Sequence, residues 1–281
     1  MNDPIVSPSW LKDQLQAPDL RVIDATWFGP WVTRPETAFQ SYERAHIPGA
    51  VFFDIDEIAD TDAGLPHMLP DAVKFSSRVR RLGLGDGHRL VVYDANNFFA
   101  SARVWWMFRA MGHEEIFVLD GGFSGWTAMG GQVEDLPPIP VERHYTARRR
   151  ADLIKDAAQT FAAAAGAGQV LDARPAARFS GAAPEPREDL ASGHMPGSLN
   201  VPADSLVNTD GHLKSEAELR SVFEAAGAST TADTIASCGS GVSAAVLALA
   251  LARLGNWNVA VYDGSWADWA SDKSRPIETN T

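Results

Sequence analysis

Short apolar runs, many of them β-branched, alternate with longer helical patterns along the whole chain. The runs in the first half are RVIDA, RLVVYDA and EIFVLDG, and those in the second half are QVLDA, DTIASC and NVAVYDG. Longer apolar stretches such as VWWMFRAMG and AAVLALALARLG lie between them. Strand-length runs separated by helical segments indicate parallel strands connected by helices. We therefore expect an α/β fold in which each parallel sheet is covered by helices on both faces.

The same pattern occurs twice. Three pairs of segments match between the halves: VIDATW at 22–27 with VLDARP at 170–175, HIPGAV at 46–51 with HMPGSL at 194–199, and VLDGGFSGW at 118–126 with VYDGSWADW at 261–269. The offset is 148 for the first two pairs (170 − 22 and 194 − 46) and 143 for the third (261 − 118). Two copies of one domain have therefore been joined head to tail.

The proline-rich and charged segment EDLPPIPVERHYTARRR lies between the two copies and is typical of a linker on the surface. We expect a first domain at residues 1–134, a linker at 135–155 and a second domain at 156–281. Ligands of such sheets bind outside the carboxyl ends of the strands.

The repeat provides an internal comparison, because features present in both copies belong to the shared scaffold. Four residues fall in this class and are interpreted as structural: Asp24, His46, Asp172 and His194. Aligning VVYDANNFFASA with IASCGSGVSAA places Asp94 opposite Cys238, the only cysteine of the chain. The thiol therefore occurs in the second copy only, and the first copy has no nucleophile at this place.

Cys238 lies in the glycine-rich stretch SCGSGVSA, between the predicted strand TIAS and a helix that begins near Ser243 and stops before Gly255. The Ser243 hydroxyl can cap this helix. Gly239 and Gly241 permit unusual dihedral angles, so that backbone N–H groups can converge on the sulfur. A lone cysteine is more often a small buried apolar residue, but this position favours a nucleophilic thiolate. Metal binding is not expected, since no second cysteine or closely spaced histidine pair accompanies it.

Charge and composition restrict the partners. The chain has 36 acidic and 24 basic side chains, which gives a net charge of −12. No nucleic acid and no anionic membrane surface is therefore expected as a partner.

The N-terminal segment lacks a basic region followed by an apolar one, and the longest apolar run, at 244–252, is too short to span a bilayer. Together with the single cysteine, these features predict a cytoplasmic protein.

The tandem repeat, the CGSGVSA loop, the two HxPG turns and the segment YDGSWADW together resemble the two-domain sulfurtransferases of the rhodanese family. The resemblance covers nearly the whole chain. Within the family, CGSGV resembles the loop of the enzymes that use 3-mercaptopyruvate, whereas those that use thiosulfate typically have basic residues directly after the cysteine. Here these positions are Gly239 and Ser240. One departure is Ser243, where the family usually has threonine.

The resemblance also implies roles for residues outside the loop. ARPAARF at 173–179 and PEPRE at 184–188 match the substrate segments of the family, which makes Arg178 and Arg187 the expected clamps for a substrate carboxylate. The guanidinium group suits this task because its planar fork binds carboxylates bidentately. Without the resemblance, both would be interpreted as solvated surface arginines.

FFDID at 52–56 and PHMLP at 66–70 match the places where mercaptopyruvate enzymes keep an aspartate and a histidine that act with the loop serine. The implied catalytic set is Cys238 with a relay of Ser240, His67 and Asp56. The loop residues Gly239, Gly241, Val242 and Ser243 would contact the substrate and the transferred sulfur. No cofactor and no metal is implied.

The reaction implied is sulfur transfer from 3-mercaptopyruvate, through a Cys238 persulfide, to a thiol acceptor such as thioredoxin or to cyanide, with release of pyruvate. Three alternatives remain in view. Thiosulfate is the other donor in the family, and a carrier module would accept sulfur without turning over a small donor. A cysteine phosphatase would need C-x5-R, but the sixth residue after Cys238 is Ala244, which disfavours that class.

Overall fold

The computed structural model describes residues 3–29, 32–96, 98–166 and 168–280. The chain folds into two compact units. The first unit contains the residues up to Asp60, Pro70–Arg150 and Thr209–Leu213; the second contains Thr61–Leu69, Ala151–Asn208 and the residues from Lys214 onward. Two short segments, 61–69 and 209–213, thus belong to the unit formed mainly by the other half of the sequence.

Each unit has its own parallel sheet. The first sheet contains β1 (Ile5–Val6), β2 (Leu20–Asp24), β3 (Val51–Phe52), β4 (Arg89–Tyr93) and β5 (Ile116–Leu119), in the order β1-β5-β4-β2-β3. The second contains β6 (Ile154–Lys155), β7 (Gln169–Asp172), β8 (Leu199–Asn200), β9 (Thr234–Ser237) and β10 (Ala260–Tyr262), in the order β6-β10-β9-β7-β8. Within the described ranges both are five-stranded, and all neighbouring strands are parallel.

Helices connect the strands in both units. Those of the first unit are α1 (Pro8–Gln14), α2 (Ala38–Arg44), α3 (Ile55–Ile58), α4 (Ala72–Arg81), α5 (Ser101–Ala110) and α6 (Gly122–Ala128). Those of the second are α7 (Ala157–Ala165), α8 (Ala176–Phe179), α9 (Glu216–Ala225), α10 (Ala244–Arg253) and α11 (Ser265–Trp269). The α/β fold class and its two similar domains are confirmed, and the six apolar runs recognised in the sequence all lie on strands.

The middle strand of each sheet leads directly into one of the two aligned residues, Asp94 and Cys238. β4 lies between β5 and β2, and β9 occupies the same position between β10 and β7. Asp94 is the first residue after β4, and Cys238 is the first residue after β9. The alignment of these two residues from sequence therefore corresponds to the same place in each sheet, the carboxyl end of the middle strand.

Local sequence explains where several helices begin and end. Asp156 caps α7 and Ser215 caps α9, each in a capping box with the residue three positions later. α10 is built from alanine and leucine, which favour the helix, and it ends two residues before Gly255, whose φ is +97°. All ten residues of α5 and nine of the ten in α10 are buried. These helices and the central strands therefore form the cores of the units.

The two HxPG histidines have a structural role, as the repeat suggests. His46 is fully buried and its Nδ1 lies 2.8 Å from the Tyr42 carbonyl oxygen; the Nδ1 of His194 lies 2.9 Å from that of Phe179. Each histidine also pairs through its backbone with a glutamate in an isolated antiparallel bridge, and the pairs are His46 with Glu134 and His194 with Glu278. Both turns are thereby tied to the chain segment that follows each repeat.

The segment between the repeats is irregular but bound to the first unit. The Arg148 N–H donates to the Met111 carbonyl and the Arg150 N–H to the Ala110 carbonyl, at 2.8 Å each. Tyr145 is buried among aromatic side chains, whereas most of its neighbours are exposed. The chain passes from the first unit to the second at Arg150–Ala151, inside the segment expected to be a linker.

Candidate active site

The backbone around Cys238 is held by the segment that follows β10. The Cys238 N–H donates to Ser265 Oγ at 3.1 Å, and the Cys238 carbonyl accepts the Trp266 N–H at 2.9 Å. The Gly239 carbonyl accepts the Ala267 N–H, also at 2.9 Å. Only 2% of the cysteine is exposed. The thiol is therefore fixed at the end of the middle strand.

The loop after Cys238 uses its two glycines differently. Gly241 has a φ of +78°, which a glycine adopts without strain. Gly239 needs no such angle; a Cβ there would lie 3.2 Å from an Nη of Arg178, so the missing side chain lets the guanidinium approach the loop. Val242 is buried, and its carbonyl accepts the Ala245 N–H.

The prediction that the Ser243 hydroxyl caps α10 is wrong. Ser243 is the residue before the helix, but its side chain makes no capping hydrogen bond. The reason is its backbone, which has the helical values φ −71° and ψ −17°, whereas a capping side chain needs an extended backbone to face the first N–H groups. The first turn of α10 is entered from a preceding turn instead.

Ser240 and His67 are brought together within the second unit. Ser240 Oγ lies 2.9 Å from His67 Nδ1, and the serine is 7% exposed. His67 has a φ of +60°, an uncommon value for a residue with a Cβ. Its loop is anchored by the Leu69 N–H, which donates to Asp263 Oδ2 at 2.6 Å. Residues held at sparsely populated backbone angles cluster at functional sites, so His67 beside Ser240 is a candidate functional residue.

Asp56 lies in the first unit, in the first turn of α3. Its Oδ2 accepts the indole N–H of Trp27 at 2.7 Å, and its own backbone N–H donates to Asp54 Oδ1. It lines a cavity of about 490 Å³ whose walls also contain Phe28 and Phe52. Its place in the relay stays a prediction.

Arg178 is held in an ion pair. Its Nε and one Nη donate to the two carboxylate oxygens of Glu185, and the Nε distance is 3.1 Å. The side chain of Arg178 is 22% exposed, whereas that of Glu185 is 2% exposed. The bidentate pair orients the guanidinium and leaves its other Nη for a ligand.

Glu185 and Arg174 were not identified from the sequence. Arg174 is 1% exposed; it donates to Asp172 through Nε and Nη2 and to Glu185 through Nη1. Its guanidinium also lies 4.2 Å from the ring centre of Trp266. The chain Asp172–Arg174–Glu185–Arg178 therefore connects the end of β7 to the arginine beside the cysteine loop. The signals in the sequence were the neighbouring segments ARPAARF and PEPRE, and only the fold reveals how their charged residues pair.

Arg187 is partly exposed, and its side chain makes no hydrogen bond or ion pair with the described residues. Its backbone carbonyl accepts the Leu190 N–H at 3.1 Å, which closes a turn. The structure therefore does not bring Arg187 into the network of Arg178, and its role as a second clamp remains a prediction.

The loop after β4 shows what the equivalent backbone can hold. The carboxylate of Asp94 accepts four backbone N–H groups, from Asn96, Phe98, Ala100 and Ser101, at 2.7–3.2 Å. Asp94 is 1% exposed, and burial raises its pKa while these hydrogen bonds oppose the rise. In the first unit, the turn that leads into α5 thus encloses a carboxyl group with four backbone N–H donors.

Among the described residues, no group of three or more histidine, cysteine or acidic side chains is arranged to hold a metal ion. Nor does any helix in the described part of the chain have the length and apolarity needed to cross a membrane.

Comparison with known proteins identifies the family. The model of the rhodanese-like domain matches twice, at residues 7–129 and 157–272. The chain belongs to the rhodanese family. The 3-mercaptopyruvate sulfurtransferase of Escherichia coli K12 is 40% identical over 274 residues, which cover 97% of each chain. Thiosulfate/3-mercaptopyruvate sulfurtransferase 1, mitochondrial, from Arabidopsis thaliana is 38% identical over 307 residues, covering 99% of this chain and 79% of the relative.

Among solved structures, the crystal structure of SseA from Escherichia coli, a 3-mercaptopyruvate sulfotransferase with the rhodanese fold, matches with a TM-score of 0.86 and 39% identity. The match covers 94% of this chain and 99% of that one. The protein is therefore a tandem rhodanese-domain sulfurtransferase of the thiosulfate/3-mercaptopyruvate group. The names of these relatives include two sulfur donors, 3-mercaptopyruvate and thiosulfate.

Proposed function

We propose that the protein transfers the sulfur of 3-mercaptopyruvate to a thiol acceptor through a persulfide on Cys238. The observation that supports this most directly is the pairing of His67 with Ser240, two residues after the cysteine, at 2.9 Å. A hydroxyl bonded to an imidazole is able to move a proton beside the nucleophile. Uncharged Gly239 and Ser240 directly after the cysteine suit a monoanionic keto acid better than the thiosulfate dianion.

In the first step the Cys238 thiolate attacks the sulfur of the donor. A new S–S bond forms, the C–S bond breaks, and its electron pair becomes the enolate of pyruvate, which takes up a proton. In this proposal Ser240 and His67 move that proton between the donor and solvent. In the second step an acceptor thiolate attacks the outer sulfur, and Cys238 leaves as the thiolate.

Arg178 is the proposed partner of the donor carboxylate. Glu185 already holds one edge of its guanidinium, so the free edge is presented in a fixed direction with little loss of side-chain entropy on binding. We propose that Arg187 approaches the carboxylate from its partly exposed position. Gly239, Gly241, Val242 and Ser243 form the loop that would surround the transferred sulfur.

The aligned loop of the first unit supports anion stabilisation by the backbone. There the residue in the position of Cys238 is Asp94, and four N–H groups donate to its carboxylate. A persulfide anion on Cys238 would be stabilised in the same manner by the N–H groups that follow it. The assignment of Asp56 to orient His67 rests on the family resemblance.

The experiment that tests this proposal follows the sulfur and the pyruvate. After incubation with 3-mercaptopyruvate, mass spectrometry should find one added sulfur atom on the peptide containing Cys238. Cys238→Ser should release pyruvate at least about 1000-fold more slowly, because the nucleophile is missing. Ser198→Ala serves as a control, since it removes a buried hydroxyl from another turn of the same unit. Pyruvate release by Cys238→Ser at the rate of the unaltered protein would refute the proposal.

A comparison of kcat/KM for 3-mercaptopyruvate and thiosulfate, with reduced thioredoxin or cyanide as acceptor, decides the donor. A preference for thiosulfate would assign the protein to the other activity of its group. Continued pyruvate release over many turnovers separates the enzyme from a sulfur carrier, which would stop after one.

We also propose a reducing compartment such as the cytoplasm, because the reaction needs Cys238 as a free thiol.

A further inference from the structure

Ser265 has a backbone conformation that serine rarely adopts. Its φ is +50°, in the left-handed region where a Cβ is crowded, and the residue is fully buried. A glycine in this place would have no strain. The presence of serine at this strained position is therefore best explained by an interaction of its side chain.

The hydroxyl of Ser265 connects the end of β10 to Cys238. Ser265 Oγ accepts the Cys238 N–H at 3.1 Å and donates to the Tyr262 carbonyl at 2.7 Å. Next to it, the Trp266 N–H donates to the Cys238 carbonyl. The two peptide planes on either side of the Cys238 α-carbon are thus both held, and together they fix the direction of the Cα–Cβ bond from which the sulfur extends.

The first repeat provides a natural comparison. Gly122 aligns with Ser265 (265 − 143 = 122) and has nearly the same φ, +54°. The following amide makes the equivalent bond as well, because the Phe123 N–H donates to the Asp94 carbonyl at 3.0 Å. A Cβ on Gly122 would lie 2.4 Å from that carbonyl oxygen. The fold therefore accepts glycine at this position, and only the copy with the thiol has a side chain there.

We infer that Ser265 is a positioning residue, whose hydroxyl fixes the backbone of Cys238 in the orientation that the sulfur needs for attack. The inference rests on the proposed role of Cys238 as the nucleophile. The hydroxyl also gives the buried Cys238 N–H its hydrogen-bond acceptor, so a purely structural role is the alternative. A positioning role predicts that kcat and the reactivity of the thiol change even where stability does not. A purely structural role predicts that they change only together with stability.

Two substitutions separate the roles. Ser265→Gly removes the hydroxyl and also the backbone strain, as Gly122 does in the first repeat. Ser265→Ala removes the hydroxyl but keeps the Cβ and its strain. For both variants we would measure the midpoint of thermal unfolding, kcat and KM for 3-mercaptopyruvate, and the rate of alkylation by iodoacetamide. Cys238 is the only cysteine, so alkylation reports on this thiol alone.

We expect kcat to fall about tenfold in both variants, with KM changed less than about twofold, because misplacement of a reacting atom lowers the rate more than binding. The alkylation rate should change in both as well. The unfolding midpoints should differ, with the alanine variant lower because it keeps the strain. Ser198→Ala, which loses a hydroxyl bond to the Met195 carbonyl, should leave kcat and alkylation unchanged.

Unchanged kcat and alkylation in a folded Ser265→Gly protein would overturn the inference, as would losses of kcat that simply follow the loss of stability. If the alanine variant does not fold, the glycine variant alone decides. Failure of the proposed function is seen separately: pyruvate release that does not need Cys238 refutes the nucleophile, whereas unaltered behaviour of Ser265→Gly alongside an inactive Cys238→Ser refutes only the positioning role.

Discussion

At the scale of single residues, the buried polar groups of this protein are matched to specific partners. Arg174 and Glu185 are almost completely buried, and each charge is paired with an opposite one. Such pairs add little stability over apolar residues, but removing one partner leaves an isolated charge. They therefore fix geometry, in this case that of Arg178 beside the loop of Cys238.

His113 gives a prediction for stability against pH. Burial lowers its pKa, and the ring packs against Tyr145 with Nε2 2.9 Å from the His88 carbonyl oxygen. The unfolded chain therefore binds a proton at a higher pH than the folded one, and stability is lost as the pH falls from about 6.5 through the lowered value.

Urea unfolding should accordingly give a lower free energy of unfolding at pH 5.5 than at pH 7.5. His113→Gln should weaken this dependence, because glutamine does not titrate. An equally steep dependence in that variant would show that other groups cause it.

Among the structural elements, the two turns that follow the central strands occupy equivalent positions but hold different side chains. The turn into α5 holds the Asp94 carboxylate, and the turn into α10 holds Cys238. Neither helix has a side-chain cap. In the first unit, the carboxylate takes over the role of the cap by accepting the N–H groups of Ala100 and Ser101.

Asp94→Ala should therefore destabilise the protein by several kcal/mol, about 1–3 kcal/mol for each buried N–H that loses its acceptor and finds no other. Asp94→Asn should be milder because the amide oxygen keeps part of the hydrogen bonding. Urea unfolding measures both.

Asp71→Ala is the matched control for Asp94. It removes one exposed carboxylate that caps α4 and should lower the free energy of unfolding by about 1 kcal/mol. An equal effect of Asp71→Ala and Asp94→Ala would contradict a specific enclosure of the Asp94 carboxylate.

At the scale of the whole molecule, the net charge of −12 affects how anionic donors arrive. The charge of Arg178 is paired with Glu185, so it does not outweigh this negative field at long range. The approach of an anionic donor should therefore be slowed by repulsion, and salt should screen that repulsion.

We expect kcat/KM to increase with ionic strength between about 10 and 150 mM, over which the Debye length falls from about 30 to 8 Å. The increase should be steeper for thiosulfate than for 3-mercaptopyruvate, since it carries the larger charge. Stopped-flow or initial-rate measurements in a series of NaCl concentrations provide the test. A decrease with salt would show that local positive charge dominates the approach.

Much of the architecture follows from the sequence because it depends on local patterns. Apolar β-branched runs such as RLVVY give the strands, and the internal repeat gives the two similar units. The alignment of Asp94 with Cys238 needed only the order of residues. The capping role of Ser243 was wrong because the choice between hydroxyl capping and a continuing turn depends on two backbone angles that the residue type does not fix.

The parallel α/β fold, the duplication, the position of the single thiol directly after a strand and the resemblance to the family all follow from the amino-acid sequence, since each is encoded in short segments of the chain. The folded chain was needed to show that Glu185 holds Arg178. It also brings Ser240 to His67, a pairing that the sequence suggested only through the family resemblance, and Ser265 to the amide of Cys238. The last two pairs are 173 and 27 residues apart along the chain. Both contacts arise from packing within the second unit, where the closeness of two residues is set by the path of the backbone and not by their separation in sequence.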